Sequence, residues 1–194
     1  MTKSKHSLLP EGENLRRAIH WLSEHAPPTA EVIDQAACRF DLTPLEEDFL
    51  LREFQSKSHW EHFHHLADIG VRGTGRSIEQ AFEQAALALT AIVTDPGGVR
   101  TLKTVAIECV EPDRELLFVD WLNAVIYAMV THNMLFGSFK ITINGDQLTA
   151  ALGGEAIDRD RHEPAVEPKG ATFTELKVVR QDDGVWLAQC VIDV

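Results

Sequence analysis

The stretch SIEQAFEQAALALTAIVT, residues 77–94, carries the clearest helical pattern in the chain. Its apolar residues recur at intervals of three and four, which places them on one face of a helix. Ser77 and Gln80 form a capping box at its start. A second stretch, residues 112–132, is apolar nearly all round, which predicts a deeply packed helix. The chain must therefore fold around two long helices. The apolar stripe of the first comprises Ile78, Phe82, Ala85, Leu89 and Ile92.

Strand patterns surround these helices. Alternating apolar residues on both sides of Asn144-Gly145 predict a hairpin, because Asn-Gly is a strong turn signal. Residues 170–194 predict a second hairpin, which turns at Asp183-Gly184. The glycines of GVRGTG, residues 70–75, predict that a preceding strand ends in a turn. Hairpins beside two long helices indicate an α+β fold, with a largely antiparallel or mixed sheet and two helices packed on one face.

Residues 1–55 predict a small all-helical extension, separate from a main domain at residues 60–194. Thr29 and Thr43 are the predicted N-caps of two short helices, and Glu46 completes a capping box with Thr43. The pair resembles a helix-turn-helix in outline. Residues 29–55 hold seven acidic residues and two basic ones, however, and such a helix would repel DNA phosphates. We therefore expect a small helical module that docks on the main domain or on a partner.

The net charge of −12 disfavours any grip on nucleic acid by neutralising phosphates, so we expect no direct nucleic-acid binding. The longest apolar run is shorter than the ~20 residues of a membrane span, and the first 20 residues show no signal peptide. The three cysteines are widely spaced, which is typical of reduced thiols. These features predict a cytoplasmic protein without a membrane partner.

Four histidines fall within seven residues, at His59, His62, His64 and His65. Their spacing raises the hypothesis of a zinc site, but no cysteine pair lies nearby in the sequence. On a strand, His62 and His64 would share one face and His65 the other, so the four would not close a tetrahedron. We therefore favour solvent-facing histidines.

Two aspartates interrupt apolar segments, Asp68 in LADIGV and Asp193 in VIDV. A carboxylate within a strand is costly to bury unless a base or a cation accompanies it. If the two strands lie side by side, Asp68, Asp193 and the terminal carboxyl of Val194 would converge on a hard divalent ion such as Ca²⁺ or Mg²⁺. The alternative is a pair of edge aspartates that face water.

The segment GGEAIDRDRHEPAVEPKG, residues 153–170, is polar and charged. Glu155, Asp158 and His162 are candidates to ligate a metal or catalyse, and Lys169 is a candidate partner for a carboxylate or a phosphate. The charge alone favours a solvated loop. No nucleophile motif such as GxSxG is present, so the residues give little support to an enzyme.

Several separated motifs resemble the archease family in the same order. They are FHHLADIGVRGTGRSIEQAFEQAALAL at residues 63–89, LLFVDWLNAVIY at 116–127, the charged segment at 153–170, and VIDV at 191–194. The resemblance implies an archease-like fold over residues 60–194. It also implies a non-enzymatic activator of an RtcB-type RNA ligase, which promotes guanylylation and repeated turnover of the ligase in tRNA splicing or RNA repair.

The resemblance further implies a divalent ion, calcium, held by Asp68, Asp193 and Val194. It assigns Lys169 to activation of the partner and His65 to support of the site. Glu155, Asp158 and His162 match the charged loop of the family. Two positions depart from the pattern, since Leu66 replaces a threonine and Thr174 a histidine. The alternative is a metal-dependent hydrolase that acts without a partner through Asp68, Asp193, Glu155 and His162.

Overall fold

The computed structural model describes residues 12–24, 30–54, 58–65, 68–182 and 184–194. The chain divides into two compact units, Met1–Lys57 and Ser58–Val194. None of the helices in these described ranges is both long and apolar enough to cross a membrane.

The described residues of the first unit form three helices, α1 (Glu13–Glu24), α2 (Ala30–Arg39) and α3 (Pro44–Phe54). The capping box predicted for α3 is confirmed: Glu46 N donates to Thr43 Oγ1, and Thr43 N donates to Glu46 Oε2 at 2.9 Å. The predicted cap Thr29 lies outside the described residues. The apolar faces of the helices form a small core of Leu15, Ala18, Leu22, Ile33, Ala36 and Leu50.

The described part of the second unit alternates strands with three α-helices and also contains a short 3₁₀ helix, Pro96–Gly98. Its elements are β1 (His59–His65), β2 (Asp68–Gly75), α4 (Ile78–Val93), β3 (Lys103–Val110), α5 (Arg114–His132), β4 (Met134–Asn144), β5 (Gln147–Ala156), α6 (Arg159–His162), β6 (Gly170–Ala171), β7 (Lys177–Arg180) and β8 (Trp186–Asp193).

The strands form two antiparallel sheets, whereas the sequence predicted one. In the five-stranded sheet the order is β1-β2-β8-β6, and β7 also pairs with β8. The other sheet has the order β3-β5-β4. The predicted α+β class is confirmed. The number of sheets depends on which distant strands pair, and hydrophobic alternation does not specify that.

Both predicted hairpins are present. Strands β4 and β5 are joined through Gly145 and Asp146, where Gly145 adopts φ +61°. Strands β7 and β8 pair from Lys177↔Gln189 to Arg180↔Trp186, and Gly184 in their turn has φ +83°. Asp183, the other predicted turn residue, lies outside the described residues.

Helices α4 and α5 supply the centre of the core. Phe82 and Phe118 pack with ring centroids 4.8 Å apart, and Trp121 Nε1 donates to Phe82 O. Nine residues of α5 are buried, which confirms the deep packing predicted from its apolar pattern. Ser77 caps α4 as predicted, although the Gln80 side chain accepts from Arg76 N instead of Ser77 N.

The turn predicted at residues 70–75 is wrong, because these glycines lie inside β2. A Cβ added at Gly73 would stand 2.1 Å from Ala81 O and 2.3 Å from Ala85 N of α4. The glycine therefore lets the helix backbone approach the strand closely, which a side chain would prevent. This close packing ties α4 to β2 and holds the strand that begins at Asp68.

Candidate functional site

Asp68 and Asp193 lie at the same end of two neighbouring strands. Strands β2 and β8 are antiparallel, with Ile69 paired to Ile192, and the next residue outward on each strand is an aspartate. Ile192 is fully buried, so alternation turns Asp68 and Asp193 to the opposite side of the sheet. The strand pairing on which the sequence hypothesis depended is therefore present. The Asp68 carboxylate forms no hydrogen bond or ion pair with any other described residue.

Lys169 meets the same end of the sheet from the other side of β8. Its Nζ lies 3.5 Å from Asp193 Oδ1 and donates to the main-chain oxygen of Val194 at 2.7 Å. The Lys169 main-chain N–H donates to Asp193 O, so backbone and side chain hold the residue in place. We call Asp68, Asp193, Val194 and Lys169 the sheet-end group.

His65 adjoins the sheet-end group, because it pairs with Asp68 across β1 and β2. Its Nδ1 is buried and has no hydrogen-bond partner among the described residues. Such an atom usually has a partner, so the nitrogen is available to one that binds here. The family position of Leu66 lies outside the described residues.

The remaining histidines do not converge. His62 Nε2 donates to Ala88 O of α4 at 2.7 Å, and His59 projects from the other side of β1. Among the residues that the structure describes, no three His, Cys, Asp or Glu side chains gather as a metal site. The sheet-end group contains only two such side chains, and its third oxygen belongs to the main chain.

The donors of the sheet-end group nevertheless suit a hard divalent ion. Two carboxylates and a main-chain oxygen are the ligand types that calcium and magnesium prefer. The Lys169 ammonium already lies against Asp193 and Val194, so this position accepts a cation. The residues therefore fit the ion that the resemblance implied.

The solvated loop predicted at residues 153–170 is wrong in its first half. Strand β5 continues through Glu155, whose side chain is only 4% exposed. Arg100 donates to this carboxylate from its main-chain N at 2.7 Å and from Nε and Nη2 at 3.0 and 2.7 Å. Arg161 Nη2 lies 2.6 Å from Glu155 Oε1. The buried carboxylate is thus satisfied by charge-assisted hydrogen bonds, which a solvated loop would lack.

His162 and Asp158 complete this arrangement. His162 is buried with Nε2 3.5 Å from Glu155 Oε1, and its Nδ1 accepts from Asp158 N. The Asp158 carboxylate caps α6 by accepting from the N–H groups of residues 160 and 161. We call Arg100, Glu155, Arg161 and His162 the Glu155 cluster. Within the described ranges, no hydrogen bond or ion pair connects it with the sheet-end group.

The two arginines are the residues that sequence reasoning missed. Their signal was indirect: a Glu within the apolar, glycine-rich end of a strand needs a cation, and arginines lie on both sides of it in the sequence. The Arg100 hydrogen bonds, and then those from Arg161, hold the pKa of Glu155 well below its ordinary value, although burial opposes this.

In two of the cysteines the pKa is raised above its ordinary value instead of lowered. Burial raises the pKa of Cys190 to about 12, and burial together with nearby Asp120 and Glu108 raises the pKa of the half-buried Cys109. Both thiols therefore stay protonated at neutral pH, which agrees with the packing role predicted from their apolar strands.

Residues 60–194 match the Archease protein family. The chain belongs to the archease family. The archease region coincides with nearly all of the second unit and leaves the helical first unit outside the match.

Relatives with the name Protein archease support this assignment. Those of Thermococcus gammatolerans and Pyrococcus furiosus are each 36% identical over 139 residues, which cover 70% of this chain and 98% of the relative. The solution structure of Methanobacterium thermoautotrophicum Protein 1598 is similar, with a TM-score of 0.62 and 32% identity. It matches over 70% of this chain and 98% of its own. The archease fold predicted from the sequence is therefore confirmed.

Proposed function

We propose that this archease is a protein cofactor of an RtcB-type RNA ligase in tRNA splicing or RNA repair, in the cytoplasm. In this role it promotes guanylylation of the ligase and lets it turn over repeatedly, without being the ligase itself. The observation that carries the proposal is the meeting of Asp68 and Asp193 on adjacent strands of an archease domain. These residues lie far apart in the sequence and close in the fold, as parts of one binding site do.

In this proposal, Asp68, Asp193 and the main-chain oxygen of Val194 hold a divalent ion, calcium. The ion would neutralise the two carboxylates and fix them in place. His65 supports the site from β1, where its buried Nδ1 is available to a partner or a water. Without the ion, Lys169 supplies the only positive charge within the sheet-end group.

Lys169 links the ion to the partner protein. A divalent ion on Asp193 would take over the carboxylate that Lys169 now contacts at 3.5 Å. The released ammonium would then be available to an acidic group of the ligase or to a nucleotide phosphate. The Lys169 side chain is 64% exposed, so it can reach a docked protein without rearrangement of the core.

The experiment is a guanylylation assay with the cognate ligase, with wild-type archease and the variants Asp68→Asn, Asp193→Asn and Lys169→Ala. We expect each variant to lower the stimulated rate by about tenfold or more, as loss of a charged contact usually does. Asp146→Asn is the matched control, because this aspartate is exposed in the distant β4–β5 turn. Stimulation at the wild-type level by all three variants would contradict the proposed site.

A hydrolysis assay with the chain alone separates the proposal from a metal-dependent hydrolase. That alternative needs Glu155 and His162 beside Asp68 and Asp193, but the first two are engaged in the Glu155 cluster. We expect the chain alone, with calcium or manganese, to leave phosphodiester and phosphomonoester substrates intact. Turnover without the ligase that disappears in Asp193→Asn would favour the hydrolase.

A further inference from the structure

A cavity of about 620 Å³ lies over the outer side of the Glu155 cluster. Four basic side chains line it, from Arg100, Lys103, Arg159 and Arg161, and two acidic ones, from Glu155 and Asp158. The lining therefore carries a net charge of +2 in a chain whose net charge is −12. A concave positive surface on an acidic protein attracts anions selectively.

Two of these four basic side chains are not engaged by an acidic side chain of the described residues. Glu155 is satisfied by Arg100 and Arg161, and the Asp158 carboxylate caps α6. The side chains of Lys103 and Arg159 have no hydrogen bond or ion pair with any described residue. The cavity thus has two cations whose side chains form no ion pair with any residue in the described part of the chain.

The Glu155 cluster also fixes its arginines before any ligand arrives. Three Arg100 nitrogens donate to Glu155, yet 63% of the Arg100 side chain stays exposed. Arg161 is held from both sides, because its Nη1 donates to Gly98 O at 2.8 Å. Guanidinium groups held in this way lose little freedom on binding an anion, so less of the binding free energy is lost to ordering them.

A second cavity, of about 530 Å³, adjoins the first, since Ile157 and Arg159 line both. Most of its lining residues are apolar, among them Met129, Val130 and Leu135, while Arg159 and Glu167 each add a charge. A ligand that spans the two would therefore combine an anionic group with an apolar body. An apolar cavity with a few convergent charges is the usual form of a small-molecule site.

We propose that the paired cavities form a binding site for an organic phosphate monoester. Its phosphate contacts Lys103, Arg159 and the exposed part of Arg100, and its apolar group lies beside Val130. A phosphate dianion matches the charges of Lys103 and Arg159 and the planar guanidinium of Arg100 better than a single carboxylate does. This site shares no residue with the sheet-end group and is independent of the function proposed above.

The test is an NMR titration of the full chain with phenyl phosphate and, separately, with inorganic phosphate. We expect phenyl phosphate to shift the backbone amide signals of Leu102, Lys103 and Ile157, and to bind at least about threefold more tightly than inorganic phosphate because of its ring. The double variant Lys103→Gln/Arg159→Gln should weaken both ligands by about tenfold or more. Both positions are exposed, so the variant should keep the wild-type dispersion of amide signals.

Two controls make the result specific. Lys177→Gln removes an exposed lysine of β7, outside both cavities, and should leave both affinities unchanged. Val130→Asp places a charge on an exposed residue of the apolar cavity, and should weaken phenyl phosphate more than inorganic phosphate. Equal weakening by Lys177→Gln would indicate general electrostatic attraction and overturn the site. Equal affinity of the wild type and the double variant for phenyl phosphate would also overturn the site.

Discussion

The Glu155 cluster and the sheet-end group each bring carboxylates against basic side chains, but they differ in burial and in hydrogen bonding. Glu155 is buried and receives several hydrogen bonds from Arg100 and Arg161. Asp193 is half exposed and meets a single ammonium, while Asp68 forms no such contact with any described residue. A saturated buried carboxylate stabilises a fold, whereas an open pair of carboxylates is suited to binding.

The largest expected effect is on the stability of the Glu155 cluster. Glu155→Gln removes the charge that two arginines share, and should lower the melting temperature by roughly 5 °C or more, because loss of one partner leaves the others without compensation. Asp193→Asn should change the melting temperature by less than about 2 °C, since its ion pair is exposed. Thermal unfolding followed by circular dichroism measures both. Equal effects would remove the distinction between the two regions.

The response of the melting temperature to calcium should depend on the sheet-end group and not on the Glu155 cluster. At about 100 times its dissociation constant, an ion that binds only the folded chain stabilises it by about 2.7 kcal/mol. We expect calcium to raise the melting temperature of the wild type and of Glu155→Gln, but not that of Asp68→Asn or Asp193→Asn. A rise in the two aspartate variants as well would mean that the ion binds elsewhere.

Acid should weaken the Glu155 cluster. The arginines hold the pKa of Glu155 below the ordinary value of 4.5, so its stabilising effect is complete above that pH and is lost as the pH falls through the folded pKa. The difference in melting temperature between wild type and Glu155→Gln should therefore shrink between about pH 6 and about pH 3. A difference that stays constant over this range would show that the charge of Glu155 is not responsible.

The smallest effect is expected at Lys169. Lys169→Met should change the free energy of unfolding by less than about 1 kcal/mol, because the ion pair is exposed on both sides. The same variant should bind calcium a few times more tightly by calorimetry, since it removes a competing cation. Lys177→Met, on the exposed side of β7, is the matched control. Weaker calcium binding by Lys169→Met would mean that the lysine supports the ion instead of competing with it.

Local structure was predictable from the sequence wherever neighbouring residues determine it. The caps at Ser77 and Thr43, the stripe of α4 and the Asn144-Gly145 hairpin all depend on residues within a few positions. The turn predicted at residues 70–75 failed because the need for a glycine at position 73 comes from α4, which packs against the strand. The pattern of residues around Gly73 does not indicate that contact with α4.

The candidate sites depend on longer separations. Residue types alone singled out Asp68 and Asp193, but the adjacency of their strands had to be assumed until β2 and β8 were seen to pair. For Glu155 the sequence supplied the residue and not its environment, because Arg100 lies 55 positions away. Charge favoured a solvated loop, whereas the ion pairs allow the carboxylate to be buried.

The pairing of β2 with β8 also has a kinetic consequence. Ile69 and Ile192 are joined only after the chain between them has closed a long loop, and contacts of such separation form late in folding. The two hairpins and α4 can assemble from nearby residues before that step. We therefore expect the two aspartates to lie side by side only in molecules that have finished folding. Ion binding at this end of the sheet would then occur in fully folded archease domains and not in partly folded ones.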